Sequence, residues 1–304
     1  MIIGMTACSD HGPPDSPGAA SDAPAATVRA PDQPAWVGSV GTRTLRRAVR
    51  ATAAVEQGRV EWRTELEGLA ANGAVPGGVD TVRLVHRAAF DRTTGRASVE
   101  TDMSDLAAVV DEVGGVGDFT LPARMLIDGD SVYTQVGPLA ETFGLSPTVW
   151  IRRDLDSVLA QGVDSETAAV LLAPLGTLDV LLTPALAVEV VGGDEVRGER
   201  VVHLRATLDL GAGAAVGGGG QGSHSFGARL RAAGVDHLPI DVWLDAGQVV
   251  RRLDVRLDPG LAGGSGPEGL TTTFELHDVG VDPGIRPPAA TDVVDAADVV
   301  ADRR

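Results

Sequence analysis

The sequence predicts an α+β fold: a single strongly curved antiparallel sheet, an unclosed β barrel of about ten or eleven strands, wrapping helices. Three observations predict it. Segments of period two, each with one apolar face, recur along the chain and end in Gly/Asp turns. The clearest series runs from Leu238 to Leu276. There Ile240, Val242 and Leu244 alternate with Asp241, Trp243 and Asp245, and Leu253, Val255 and Leu257 with Arg252, Asp254 and Arg256. Thr272, Phe274 and Leu276 repeat the pattern against Thr273, Glu275 and His277. Lastly, the few segments of helical period are enough only to cover the apolar side of such a sheet.

In chain order, Met1 to Cys8 is a short apolar run ending in Met5-Thr6-Ala7-Cys8. It resembles the tail of a bacterial lipoprotein signal peptide, with residues 1–8 as the remnant and Cys8 as the lipidated residue. The apolar core is shorter than such signals require, which a start site further upstream would explain. Residues 9–41 are rich in Pro, Ala, Asp, Ser and Gly and read as a disordered tether. Thr42 to Gln57 has Leu45, Ala48, Val49, Thr52 and Val55 on one face and Arg43, Arg46, Arg47 and Arg50 on the other, a helix stopped by Gly58. Its apolar face is small, which suits packing on a sheet better than lying on a membrane.

Strands follow. Val60, Trp62, Thr64 and Leu66 share one face, as do Val82, Leu84, His86, Ala88 and Phe90 before the turn at Asp91 to Gly95. Ala97, Val99 and Thr101 come next, then a loop or short helix over 105–117. Arg124 to Ile127 and Ser131 to Val136 form a hairpin across Asp128-Gly129-Asp130, and Thr148 to Arg152 carries Trp150. Pro174 divides two helical pieces, 165–173 and 175–182. Leu186 to Val191 and Arg200 to Leu210 form a hairpin turning at Gly192-Gly193-Asp194. A glycine-rich loop, 211–222, and a short helix, 224–233, precede the Leu238–Leu276 meander, in which Gly247 is expected at positive φ. The Pro- and Asp-rich tail lies partly along a sheet edge and frays over 297–304.

Composition excludes several function classes. A net charge of −17 argues against nucleic-acid backbones and anionic lipid surfaces. All 25 basic residues are arginine, so Schiff-base chemistry and a phosphate-loop lysine are excluded. One cysteine allows no intramolecular disulfide and no multi-cysteine metal site, and the six histidines show no zinc spacing. Gly211 and Gly213 lack the third glycine of a dinucleotide loop, because Val216 stands there. Ser223 and Ser225 have no nucleophile elbow around them. Neither a metal nor a cofactor is implied.

The runs VEVVGGDEVRGERVVHLRATLDL and LPIDVWLDAGQVVRRLDVRL, with the hairpin IDGDSVYTQV, the strand VWIRRD and the closing TTTFELHDVGVDPGIRPP, resemble the actinobacterial lipoproteins of the LppX and LprG type. Those share the fold of the periplasmic lipoprotein carrier LolA. The resemblance covers roughly residues 42–296 and implies a lipid-binding domain there. It also implies a hydrophobic cavity for acyl chains of lipids or lipoproteins, and a membrane anchor through Cys8 on the extracytoplasmic face. An envelope transporter is a further partner it would admit. No catalytic residue is carried over.

Positions on apolar strand faces then become candidate cavity lining: Trp62, Leu84, Val99, Met125, Ile127, Val202, Leu204, Val242, Leu244, Val255 and Phe274. Trp62 fits core and cavity equally, whereas Trp243, among aspartates on the polar face, is expected to pack structurally. The function expected is a non-enzymatic, membrane-anchored lipoprotein that transports or shields acyl chains. The alternatives are a surface lipoprotein whose helices fill the concavity and which binds protein partners, and a hydrolase assembled from distant residues.

Overall fold

The computed structural model describes residues 34–68, 80–102, 104–105, 122–135, 137, 140–141, 144–160, 175–213, 230–231, 234–257 and 269–301. Cys8, most of the expected tether and the helix expected over 165–173 lie outside these residues. So do most of the loop expected over 105–117, most of the glycine-rich loop and most of the helix after it; the first three residues of that glycine-rich stretch instead belong to a short helical turn, Leu210–Gly213.

Among the described residues twelve strands form one sheet. In chain order they are β1 (Gln57–Glu67), β2 (Val82–Asp91), β3 (Arg96–Asp102), β4 (Pro122–Asp128), β5 (Ser131–Gln135) and β6 (Trp150–Asp154). Then come β7 (Ala185–Val196), β8 (Glu199–Asp209), β9 (His237–Leu244), β10 (Val250–Leu257), β11 (Gly269–His277) and β12 (Val293–Asp295). Across the sheet the order is β12-β6-β5-β4-β3-β2-β1-β11-β10-β9-β8-β7. Every neighbouring pair is antiparallel except β12 with β6, which run parallel. The first and last strands of that order, β12 and β7, do not pair, so the barrel stays open. β12 exceeds the expected number, and it is the part of the tail that lies along an edge.

Alternation decides which face is core. On the inner face of β1–β4 and β8–β11 the residues are aliphatic, aromatic, Gly, Thr or His, with no Asp, Glu or Arg among them. Helix α1 (Thr42–Ala53) lays Leu45 and Ala48 into this face, both fully buried. It packs on β7, β10 and a 3-10 helix, Gly176–Leu182. The short α2 (Leu155–Ala160) sits against β5 and β6. Trp36, Val37 and Val40 also pack on the core, so packing begins upstream of α1.

Four local expectations are corrected. α1 ends at Ala53, and Gly58 lies inside β1 instead of stopping a helix. A Cβ there would meet Leu276 Cδ1 at 3.3 Å and both the His277 carbonyl oxygen and Phe90 Cζ at 3.4 Å, so glycine serves close strand packing. The β7–β8 hairpin turns at Arg197-Gly198, both at positive φ (51° and 84°), as a two-residue primed turn needs. Gly192 instead marks a register shift within β7. In the β9–β10 turn the positive φ belongs to Gln248 (65°), not Gly247. The piece after Pro174 is 3-10 and not α, with i→i+3 bonds such as Leu178 N–H to Leu175 O (3.0 Å), as suits a short stretch ending at Pro184.

Candidate functional site

The strand registers place the eleven candidate residues on one continuous inner face. Going across the sheet, one row reads Val242, Leu253, Phe274, Trp62, His86, Thr101. Nine of the eleven belong to a single hydrophobic cluster, in which Phe274, Leu204, Val242 and Leu244 have no exposed surface, and Met125 packs against its margin. Leu84 shares the face but is only half-buried and lies outside the cluster. The described helices cover the β7–β10 and β5–β6 flanks, and none makes comparable packing over β1–β4. That middle stretch nevertheless buries Val60, Ala88 and Val99 to 2–6% exposure.

Polar atoms interrupt this face in one band, which the periodicity alone could not distinguish from core. His86 is buried, and its Nδ1 lies 2.9 Å from Thr101 Oγ1. Trp62 is tilted against the imidazole with ring centroids 6.0 Å apart. Thr64 and Thr272 pair in the adjacent row, the latter at 4% exposure. The Trp62 indole Nε1 is buried and has no hydrogen-bond acceptor among the described residues.

The outer face is a charged lattice. Trp243 lies there, stacked on His203 (centroids 4.3 Å, planes 7° apart) and under Arg252, whose guanidinium carbon is 4.9 Å from the indole centroid. Its Nε1–H donates to Asp194 Oδ2 at 2.8 Å, pinning the tip of the β7–β8 hairpin. That indole bond and the Glu195 backbone N–H hold the Asp194 carboxyl below its usual range. Arg252 is held above its usual value chiefly by its bond to Asp254, at 2.7–2.9 Å. Beside this stack Arg197 reaches Glu275 (2.7 Å) and Glu61 (3.3 Å). Trp243 is thus structural packing, as its place among aspartates predicts.

A groove of about 550 Å³ opens on the outer face between Arg59, Arg87, Arg124, Arg197, Glu100 and Trp150, among others. Its charges are mutually paired, as in Arg124–Glu100 (3.4 Å) and Arg87–Glu61 (3.8 Å). An open groove of paired charges offers an acyl chain little that water does not. Among the described residues no cluster of His, Cys, Asp or Glu has metal-binding geometry, and no helix is long and apolar enough to cross a membrane.

No protein-family model matches the sequence, and neither does any curated protein. Solved structures do. The lipoprotein LppX of Mycobacterium tuberculosis is 11% identical, with 81% of this chain and 96% of that one covered, at a TM-score of 0.40. LprF of Mycobacterium bovis is 14% identical, with 82% and 97% covered, at 0.42. A LolA superfamily protein of Nitrosomonas europaea is 10% identical, with 83% and 97% covered, at 0.25. The chain is similar to these over most of each chain's length. At such identities they assign it no ligand, so the site is read from its own residues.

Proposed function

We propose that this chain is a non-enzymatic envelope lipoprotein that binds acyl chains on the inner face of its open sheet, anchored through Cys8, and shields or transfers them. One observation carries the reading: a continuous, uncharged inner face across eight strands, which the described helices cover only at its flanks. Each methylene moved from water into such a face is worth about 0.8 kcal/mol. A dozen carbons therefore supply enough to compete with a bilayer that offers the same gain. The ligand would lie along Trp62, Val99, Met125, Val255 and Phe274. An envelope transporter that receives or delivers it is the partner this role implies.

A second reading has its own support. Leu204, Val242, Leu244, Val255 and Phe274 are almost wholly buried against their neighbours, which suits a permanently filled core and a lipoprotein that works through protein partners.

Native mass spectrometry of the chain purified from a bacterial host without detergent separates the two. The carrier reading expects a mass excess that organic solvent releases and that is identified as acylated lipid; a denaturing spectrum distinguishes it from an acyl group bonded to Cys8. An apo mass that persists after incubation with phospholipid vesicles would refute the carrier and favour the filled core.

A further inference from the structure

Trp62 is 93% buried on the inner face, yet its indole N–H has no acceptor among the described residues. Native proteins rarely tolerate this, because a buried donor without a partner loses its hydration and gains nothing. The same face could have been built of leucine and valine throughout. Instead His86 and Thr101 lie in the same row as Trp62, and Thr272 lies in the next, all buried. The band spans four adjacent strands (β11, β1, β2 and β3) with aliphatic positions on either side.

We infer that Trp62 Nε1 is the hydrogen-bond donor for the carbonyl oxygen of a bound acyl group, with His86 and Thr101 forming the polar wall beside it. The inference rests on the acyl-binding reading and adds to it a polar registration point. An indole N–H can only donate, so it selects an acceptor oxygen, which an acyl group has and a bare hydrocarbon lacks. The carbonyl fixes where along the face the chain begins, while the tail contributes area without direction. A fatty carboxylate and an acyl ester share this oxygen.

The test compares dodecane, methyl dodecanoate and dodecanoate, with the full-length protein labelled with ¹⁵N. Trp62 supplies one of four indole N–H resonances, and Trp62→Phe assigns it. Both oxygenated probes are expected to move that resonance downfield, and dodecane is not. By calorimetry, Trp62→Phe should weaken methyl dodecanoate or dodecanoate roughly tenfold more than it weakens dodecane. The probe with the larger difference identifies ester or free acid as the source. Equal weakening of all three probes overturns the inference but leaves acyl binding intact. So does an indole resonance that is indifferent to bound ester and shows exchange contacts to water, because a buried water would then be the acceptor. Failure of every probe to bind refutes the acyl-binding reading itself. Should Trp62→Phe not fold, the resonance of the unmodified protein still decides, assigned through its contacts with His86.

Discussion

The Thr52 hydroxyl donates to the Ala48 carbonyl (2.7 Å) and accepts the Val250 N–H (2.9 Å), with no solvent exposure at Thr52. One oxygen thereby joins α1 to the start of β10. Thr52→Val keeps the shape and leaves the buried Val250 donor unmet, so urea unfolding should show a loss of about 1–3 kcal/mol that Thr52→Ser largely restores. Asp91 makes a comparable local tie. Its carboxylate accepts the Thr93 hydroxyl (2.6 Å) and backbone N–H (2.9 Å), and these bonds, the hydroxyl foremost, pull its pKa down to about 2. A depressed carboxyl stabilises the fold fully above its unfolded value near pH 4, and that contribution disappears as pH falls toward 2. Melting temperature should therefore fall over that window, and less steeply in Asp91→Asn. The sequence places Thr52 on the apolar stripe of a helix and Asp91 at the head of a turn. It could not reveal that Thr52 serves a backbone N–H 198 residues away, because a hydroxyl on a helix looks the same with or without a distant partner. The inner band is similar: His86 and Trp62 are legible as facing inward, but an indole donor without an acceptor among the described residues appears only once its surroundings are built.

Elements were legible where period and turn agreed. The hairpin of β4 and β5 and the meander of β9 to β11 fall where alternation puts them, because two-residue periodicity with one greasy face has no competing interpretation. The errors cluster at glycine, since one residue type serves turns, bulges and close approach. At Gly192 the sequence suggests a turn where the strand shifts register, and at Gly58 a helix stop where strands pack closely. The second has a measurable consequence. In Gly58→Ala the new methyl presses on Leu276, Phe90 and the His277 carbonyl at 3.3–3.4 Å, all within the sheet. A net loss of about 1 kcal/mol is expected in denaturant melts, overpacking outweighing the entropy that alanine saves in the unfolded chain. A gain in stability would mean that the strands separate more readily than their registers imply.

At the scale of the whole molecule, periodicity identified the faces of the strands and left most neighbours undetermined. Hairpin partners can be read from short turns, but the pairing of β1 with β11 joins segments separated by most of the domain, and nothing local records it. The pairing also makes the sheet indivisible: without β11, the order falls into β1–β6 with β12 on one side and β7–β10 on the other. A chain ending at Leu257 should therefore give no cooperative melting transition, and adding a peptide of residues 269–277 should restore one. Contacts so distant in sequence also place refolding at the slow end of the scale. During synthesis the side of β1 that receives β11 has no occupant until about two hundred further residues have been made, some ten to forty seconds at ordinary elongation rates. For that interval the nascent chain carries an open row of backbone donors and acceptors beside Val60 and Trp62, the kind of edge that recruits stray strands. A holding chaperone that masks this edge until β11 emerges would therefore raise the yield of folded protein more than one acting on any later strand.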